Sequence, residues 1–168
     1  HPDAAALTVL GGYLRNGFLH RAIREQGGAY GGGASQDSML GAFRMYSYRD
    51  PRLSETLDDF DHAIHWLADT APAAQAIEES ILGIIASLDK PGSPAGEAKS
   101  AFHNRLFGRS DDVRRQFRSR ILAVNGDDLQ RVGATYLTPD KANTAVMSDN
   151  SSTDKANKLG LEVCKLDS

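Results

Sequence analysis

The stretch REQGGAYGGGASQD, residues 24–37, contains five glycines, yet it also carries an arginine and a tyrosine. A segment with so few side chains forms either a flexible loop or backbone that lies close to another group. In the stretch that follows, MLGAFRMYSYR (residues 39–49), successive side chains alternate between two different faces, as they do in a strand. We therefore predict a strand over residues 28–36 and a second strand over residues 39–49, with the polar SQDS (residues 35–38) as the hairpin turn between them.

The second strand has two different faces, and it ends at a proline. Its residues alternate between Phe43, Met45 and Ser47 on one face and Arg44, Tyr46 and Tyr48 on the other. Pro51 then ends the strand because proline cannot donate a ladder hydrogen bond.

A long helix is predicted before the hairpin, from Asp3 as its N-cap to about Arg24. Its apolar stripe consists of Leu7, Leu10, Leu14 and Phe18. The pair Gly11 and Gly12 lowers helix stability, so we expect this part of the helix to pack closely against a neighbouring element.

Mostly helical sequence follows the hairpin. Helices are predicted from Ser54 to before Pro72 and over residues 73–89, 95–107, 110–123 and 126–136, with Ser110 as an N-cap. NTAVMS (residues 143–148) and LGLEVCKL (residues 159–166) are predicted as closing strands. Because strands and helices are segregated along the chain, the predicted class is α+β, an antiparallel sheet packed against several helices.

Composition restricts the class of protein. A chain of 168 residues fits one domain, and its net charge of -3 argues against general nucleic-acid binding. No apolar run reaches the length of a membrane span. Cys164 is the only cysteine, which excludes an internal disulfide and a zinc site built from cysteines. A reducing compartment is expected, and the absence of an initiator methionine predicts a fragment or a processed product.

Charge is unevenly distributed along the helical part. Residues 53–89 contain eight acids and no lysine or arginine, whereas residues 102–120 contain six arginines and two aspartates. We interpret these segments as complementary or simply solvated helix faces. The basic segment lacks the interleaved aromatic residues of a nucleic-acid surface.

Known catalytic motifs do not fit this chain. The glycine stretch is neither a phosphate loop nor a nucleophile elbow, and neither H-E-x-x-H nor H-x-x-E-H can be built from the five histidines. His62 and His65 share one helix face and could in principle bind a metal ion, but solvated histidines are the commoner case.

Arg24 and Tyr30 are the remaining candidates for chemistry. They lie at the end of the predicted helix and the beginning of the predicted strand, where both can face one cleft. An arginine can hold a carbonyl or carboxylate group, and a tyrosine hydroxyl can donate a hydrogen bond to a developing oxyanion. The alternative from the residues alone is structural, with Arg24 as a charge at a helix C-terminus and Tyr30 as a core aromatic.

Three stretches resemble a known family. YLRNGFLHRAIREQGGAYGGGA (residues 13–34), FRMYSYRDPRLSETLDDF (residues 43–60) and ILAVNGDDLQRVGATYL (residues 121–137) resemble the C-terminal part of pitrilysin/insulinase-type zinc metallopeptidases. The resemblance is greatest to the presequence-protease branch.

The resemblance implies a function shared with another part of a larger enzyme. In this family two halves, each of two related α+β domains, close around an unfolded peptide, and the first domain holds zinc on an H-x-x-E-H helix. The last domain contributes an arginine and a tyrosine, which correspond here to Arg24 and Tyr30. Gly28, Gly31 and Gly32 are then expected to let the substrate backbone approach the strand.

Several expectations follow for the isolated chain. Residues 1–168 are expected to form a single partial domain that lacks its N-terminal strands, binds no zinc and is inactive without the N-terminal catalytic half. The uncovered sheet edge predicts self-association. The expected location is the bacterial cytoplasm, with an organelle matrix as the alternative. The rival function is a non-catalytic interaction module that uses the sheet edge.

Overall fold

The structure is a computed structural model that describes residues 1–164. It confirms the α+β class, because the described residues form seven α-helices and one two-stranded antiparallel sheet. The elements are α1 (Ala4–Leu14), which continues as a π-helical segment (Arg15–Gln26), β1 (Gly31–Asp37), β2 (Ala42–Tyr48), α2 (Ser54–Asp69), α3 (Ala74–Leu88), α4 (Pro94–Leu106), α5 (Asp111–Leu122), α6 (Gly126–Tyr136) and α7 (Thr153–Lys158).

The first helix forms the centre of the core, as its apolar stripe predicts. It packs against β1 and against helices α3, α5 and α6. The most deeply buried side chains of the core are Val9, Leu10, Leu14, Leu19, Ile23, Ile121, Leu129 and Val132. The predicted close approach at Gly11 is confirmed, since a Cβ atom there would lie 3.1 Å from the Ser35 Cα and 3.2 Å from the Ala34 carbonyl oxygen.

The first helix differs from its prediction at both ends. Its second half has π geometry and extends to Gln26 rather than ending at Arg24. Asp3 occupies the N-cap position, but its side chain forms no capping hydrogen bond. Its carboxylate instead accepts hydrogen bonds from Arg131 Nη2 (2.8 Å) and the Tyr136 hydroxyl (2.7 Å). A charged and a phenolic donor from α6 therefore replace the backbone amides of α1 as its partners.

The hairpin is confirmed, although its turn lies three residues later than predicted. The strands pair from Gly31 with Tyr48 to Asp37 with Ala42, so SQDS is not the turn. The Asp37 carboxylate accepts hydrogen bonds from the backbone N–H groups of Met39 (2.9 Å) and Leu40 (3.1 Å). Gly41 has a φ of +63°, which favours glycine. An aspartate turn closed by a left-handed glycine thus fixes the loop after Asp37.

The two faces of β2 are as predicted. Phe43 and Met45 are partly buried and pack against the core, whereas Arg44, Tyr46 and Tyr48 are exposed. The sheet consequently has an outer face lined by tyrosine and arginine side chains.

The helices after the hairpin are confirmed within one or two residues. The Ser110 hydroxyl accepts a hydrogen bond from the Val113 amide, which confirms the predicted cap. Arg118 binds Asp89 with two nitrogens, at 3.2 and 2.8 Å, and so joins the basic segment to the acidic one. Among the described residues, α4 is the one long helix without a buried side chain. No helix in residues 1–164 is both long and apolar enough to cross a membrane.

The closing strands are wrong where the structure describes them. Residues 143–148 and 161–164 have no regular secondary structure, and residues 165 and 166 of the second segment lie outside the described part of the chain. A strand needs a neighbouring strand for its backbone hydrogen bonds, and the described sheet ends with β2. A short helix, α7, lies between these two segments, with Asp154 near its start and Lys158 at its end, as the helix dipole favours.

The Asp3 cluster predicts a pH-dependent stability. The hydrogen bonds from Arg131 and then Tyr136 lower the pKa of Asp3 below its ordinary value of 3.8. A lowered folded-state pKa stabilises the fold above the unfolded-state pKa, and this contribution disappears as the pH falls through the folded-state value. We expect Asp3→Asn to lower the free energy of unfolding at neutral pH but to have little effect in acid well below pH 3.8.

Urea denaturation of the wild-type and Asp3→Asn proteins, at neutral pH and in acid well below pH 3.8, measures this difference. Asp61→Asn, which changes an exposed carboxylate of α2, is the control. A destabilisation by Asp3→Asn that is equally large in acid would show that the aspartate contributes through something other than its charge.

Candidate functional site

Arg24 lies in the last turn of the π-helical segment, where the first helix meets the hairpin. Its side chain is exposed, and within residues 1–164 it forms no side-chain hydrogen bond or ion pair. The guanidinium group, which has no such partner, keeps all five of its N–H donors available to a ligand. The π-helical segment that carries it is a rare kind of turn that occurs frequently at functional sites.

Backbone hydrogen bonds fix the turn that follows Arg24. The N–H groups of Gly27 and Gly28 donate to the Arg24 carbonyl, and the Ala29 N–H donates to the Ile23 carbonyl at 3.1 Å. Gly28 has a φ of +79°, the left-handed conformation that commonly ends a helix and favours glycine. The path from the helix to the strand is consequently well determined.

Tyr30 is exposed at the end of this turn, with 62% of its surface accessible, which contradicts its alternative interpretation as a core aromatic. Its backbone N–H donates to the Arg49 carbonyl at 3.2 Å. Its ring makes an edge contact with Tyr48 (centroids 5.5 Å apart), and the Arg49 guanidinium carbon lies 5.5 Å from the ring centroid. The hydroxyl forms no hydrogen bond within residues 1–164, so the ring is held while its polar end remains available.

The backbone of Arg49 is strained. Its φ of +48° is the only positive value of a non-glycine residue in the described chain. The loop behind it is held by Asp50, whose carboxylate accepts hydrogen bonds from the Arg52 N–H (3.0 Å) and from the hydroxyl of the buried Thr56 (2.7 Å). Strained conformations persist where the surroundings determine them, and they cluster at functional sites.

Arg52 connects the end of the first helix to α2. Its Nη2 atom donates to the Ala22 carbonyl at 3.3 Å and to Asp59 Oδ2 at 2.9 Å. The guanidinium group fills the space beside Gly27, where a Cβ atom would collide with it. This contact fixes the helix end that carries Arg24.

Three glycines predicted to bind substrate have intramolecular reasons to be glycine. Gly28 adopts the left-handed conformation described above. A Cβ atom on Gly31 would collide with the ring of Tyr48, and one on Gly32 would lie 2.8 Å from Ile23 Cγ2. Packing thus explains these residues without a ligand, and their contact with substrate stays a prediction.

The candidate metal pair does not develop into a metal centre in the described part of the chain. His62 and His65 are both exposed on α2. Within residues 1–164 no group of three or more His, Cys, Asp or Glu side chains could hold a metal ion.

Sequence comparison identifies the family. Residues 3–146 match the PreP C-terminal domain. The chain is 40% identical over 136 residues to the mitochondrial presequence protease of Mus musculus, and 38% identical over 138 residues to that of Saccharomyces cerevisiae. These matches cover 81% and 82% of this chain, but only 13% and 14% of the two relatives.

This chain belongs to the PreP C-terminal domain family. The predicted resemblance to the presequence-protease branch is therefore confirmed. The chain spans about an eighth to a seventh of the length of these two presequence proteases.

Sequence reasoning missed two residues of the site. Arg49 and Arg52 stand in YSYRDPR (residues 46–52), a stretch that marks the end of a strand and contributes to the family resemblance but assigns no role to either residue. Their contacts with the Tyr30 ring and the helix end arise from tertiary packing. The sequence does contain a signal for them. Three charged residues flank Pro51 (Arg49, Asp50 and Arg52), at the end of a strand that is predicted to pair with the segment after Tyr30.

Proposed function

We propose that this chain is the last, non-metal-binding domain of a zinc metalloendopeptidase that degrades unfolded peptides. In this proposal it adds Arg24 and Tyr30 to a substrate chamber formed with the N-terminal catalytic half of the same polypeptide. The observation that carries the proposal is the junction between helix and hairpin. It presents an exposed arginine and an exposed tyrosine on a hydrogen-bonded turn, in a member of the PreP C-terminal domain family.

The two side chains have complementary chemistry for a peptide substrate. Negative charge develops on the oxygen of a peptide carbonyl when water attacks it, and a positioned O–H donor stabilises that charge. The Tyr30 hydroxyl supplies such a donor. Arg24 supplies a fork of charged N–H donors that can hold a neighbouring peptide carbonyl and adds positive potential.

Zinc belongs to the other part of the proposed enzyme. In this proposal the N-terminal catalytic half holds the metal ion, and this chain contributes the hydrogen-bond donors of Arg24 and Tyr30. The relatives are named mitochondrial presequence proteases. Their names support the organelle matrix as the location of this protein, in preference to the bacterial cytoplasm.

Arg24→Ala in the full-length peptidase tests the proposal. Loss of a hydrogen bond to a charged donor costs about 1.5–3 kcal/mol, so kcat/KM for an unfolded peptide is expected to fall by about 10- to 150-fold. Arg21→Ala is the matched control, because Arg21 is exposed on the same π-helical segment. An unchanged kcat/KM for Arg24→Ala would contradict the proposal and favour an interaction module that acts through the sheet edge.

A further inference from the structure

We infer that Arg49 is a positioning residue for Tyr30. The inference rests on the proposed function of Tyr30 and extends it to a residue that makes no contact with substrate in the proposal. Three observations carry it: the contact of the guanidinium with the ring, the backbone hydrogen bond, and the strained φ of Arg49.

The contacts between Arg49 and Tyr30 restrict both the backbone and the ring. The Tyr30 N–H donates to the Arg49 carbonyl, which fixes the Cα position just before β1. The Arg49 guanidinium lies against the ring, 5.5 Å from its centroid, within the range of a cation–π interaction. Tyr48 contacts the same ring with an interplanar angle of 62°. An exposed tyrosine would otherwise sample several rotamers, and these contacts select among them.

Arg49 lies opposite Tyr30 because of the strand register. That register pairs Gly31 with Tyr48, so Tyr30 and Arg49 are the next pair, and the hydrogen bond between them continues it. Arg49 has a left-handed φ of +48° at this position, and the hydrogen bonds of Asp50 hold the backbone that follows. Arginine is a poor choice for a left-handed position, where glycine or asparagine costs less. Its side chain must therefore contribute something that the backbone conformation does not require, and the contact with the Tyr30 ring is that contribution.

The experiment separates positioning from folding by comparing two replacements in the full-length peptidase. Arg49→Asn keeps a residue that tolerates positive φ but removes the cation, so we expect an unchanged or higher melting temperature together with a kcat lowered by about tenfold. Arg49→Lys keeps a cation, and its kcat is expected to stay within about threefold of the wild type. KM should change little in both variants, because the inferred role concerns the orientation of a donor in the transition state.

A double-mutant cycle tests whether the effect passes through Tyr30. In the Tyr30→Phe background, Arg49→Asn is expected to cause no further loss of kcat, because the hydroxyl that Arg49 orients is absent. Arg44→Ala is the control, because Arg44 lies in β2 and its side chain is directed at Asp37. A wild-type kcat for Arg49→Asn, or an equal loss in the Tyr30→Phe background, would overturn the inference. A wild-type kcat for Tyr30→Phe alone would contradict the proposed function of Tyr30. This result differs from one in which Tyr30→Phe lowers kcat but Arg49→Asn does not, which would contradict only the role of Arg49.

Discussion

Tyr30→Phe in the full-length peptidase is expected to lower kcat by about 10²–10³-fold, since removal of one oxyanion donor costs about 2.7–4 kcal/mol of transition-state stabilisation. The substitution removes only the hydroxyl, which forms no hydrogen bond within residues 1–164. The ring contacts with Tyr48 and Arg49 do not require the hydroxyl. We therefore expect the melting temperature to remain unchanged, together with the zinc content that the proposed function implies.

Tyr46→Phe provides the matched control for this prediction. Tyr46 is exposed on the outer face of β2 and pairs with Gly33, three residues beyond Tyr30 along the chain. Its hydroxyl should be dispensable, so the control enzyme is expected to keep wild-type kcat. Equal losses in the two variants would indicate a general sensitivity of the hairpin rather than a specific role of the Tyr30 hydroxyl.

Gly27→Ala is expected to lower the free energy of unfolding of this chain by about 2–4 kcal/mol, because it combines overpacking with the loss of partly buried hydrogen bonds. The new Cβ atom would lie 2.5 Å from the Ile23 carbonyl oxygen and would collide with the Arg52 guanidinium. Displacement of that guanidinium removes its hydrogen bonds to the Ala22 carbonyl and to Asp59. Urea denaturation measures the loss.

Gly83→Ala is the control for this glycine substitution. Gly83 lies in the interior of α3, and a Cβ atom there would meet nothing within 4 Å. Alanine should therefore stabilise the helix by about 0.5–1 kcal/mol relative to glycine. A Gly27→Ala protein as stable as the wild type would mean that the helix end accommodates a side chain and that Arg52 does not fix it.

The fold could be predicted where a single element carries its own signal. The stripe formed by Leu7, Leu10 and Leu14 identifies the buried face of the first helix, and alternation identifies the inner face of β2. The boundaries of the later helices follow from caps such as Ser110, because a cap depends only on the next few residues. These features are local, so the sequence alone contains them.

Two of the wrong predictions depend on a partner that lies far away in the sequence. Asp3 has the side chain of a good N-cap, but Arg131 and Tyr136 are brought to it by the packing of α6. Residues 143–148 have the composition of a strand, yet a strand forms only beside another strand. The turn of the hairpin was misplaced because the polar SQDS has the composition of a turn, whereas Met39 and Leu40 do not, and the short-range hydrogen bonds of Asp37 to those two residues form the turn.

The candidate site was predicted as the side chains of Arg24 and Tyr30 with three neighbouring glycines, Gly28, Gly31 and Gly32, whose contact with substrate stays a prediction. Their spacing placed Arg24 and Tyr30 on either side of a junction, and the structure has both of them exposed there. The parts that hold the pair, Arg49 against the ring and Arg52 against the helix end, come from the far side of the hairpin. Periodicity does not report such contacts, because they depend on tertiary packing; the charged residues beside Pro51 are the local signal for them.

The central claim is that the Tyr30 hydroxyl acts in the bond-cleavage step of a peptidase. Steady-state rates can be limited by product release or by opening of the chamber, which would hide a loss in that step. The most direct measurement is therefore the single-turnover cleavage rate of an unfolded peptide with excess full-length Tyr30→Phe enzyme. We predict a rate about 10²–10³-fold below that of the wild type and of Tyr46→Phe. A wild-type single-turnover rate would contradict the claim and leave Tyr30 as a surface residue of the hairpin.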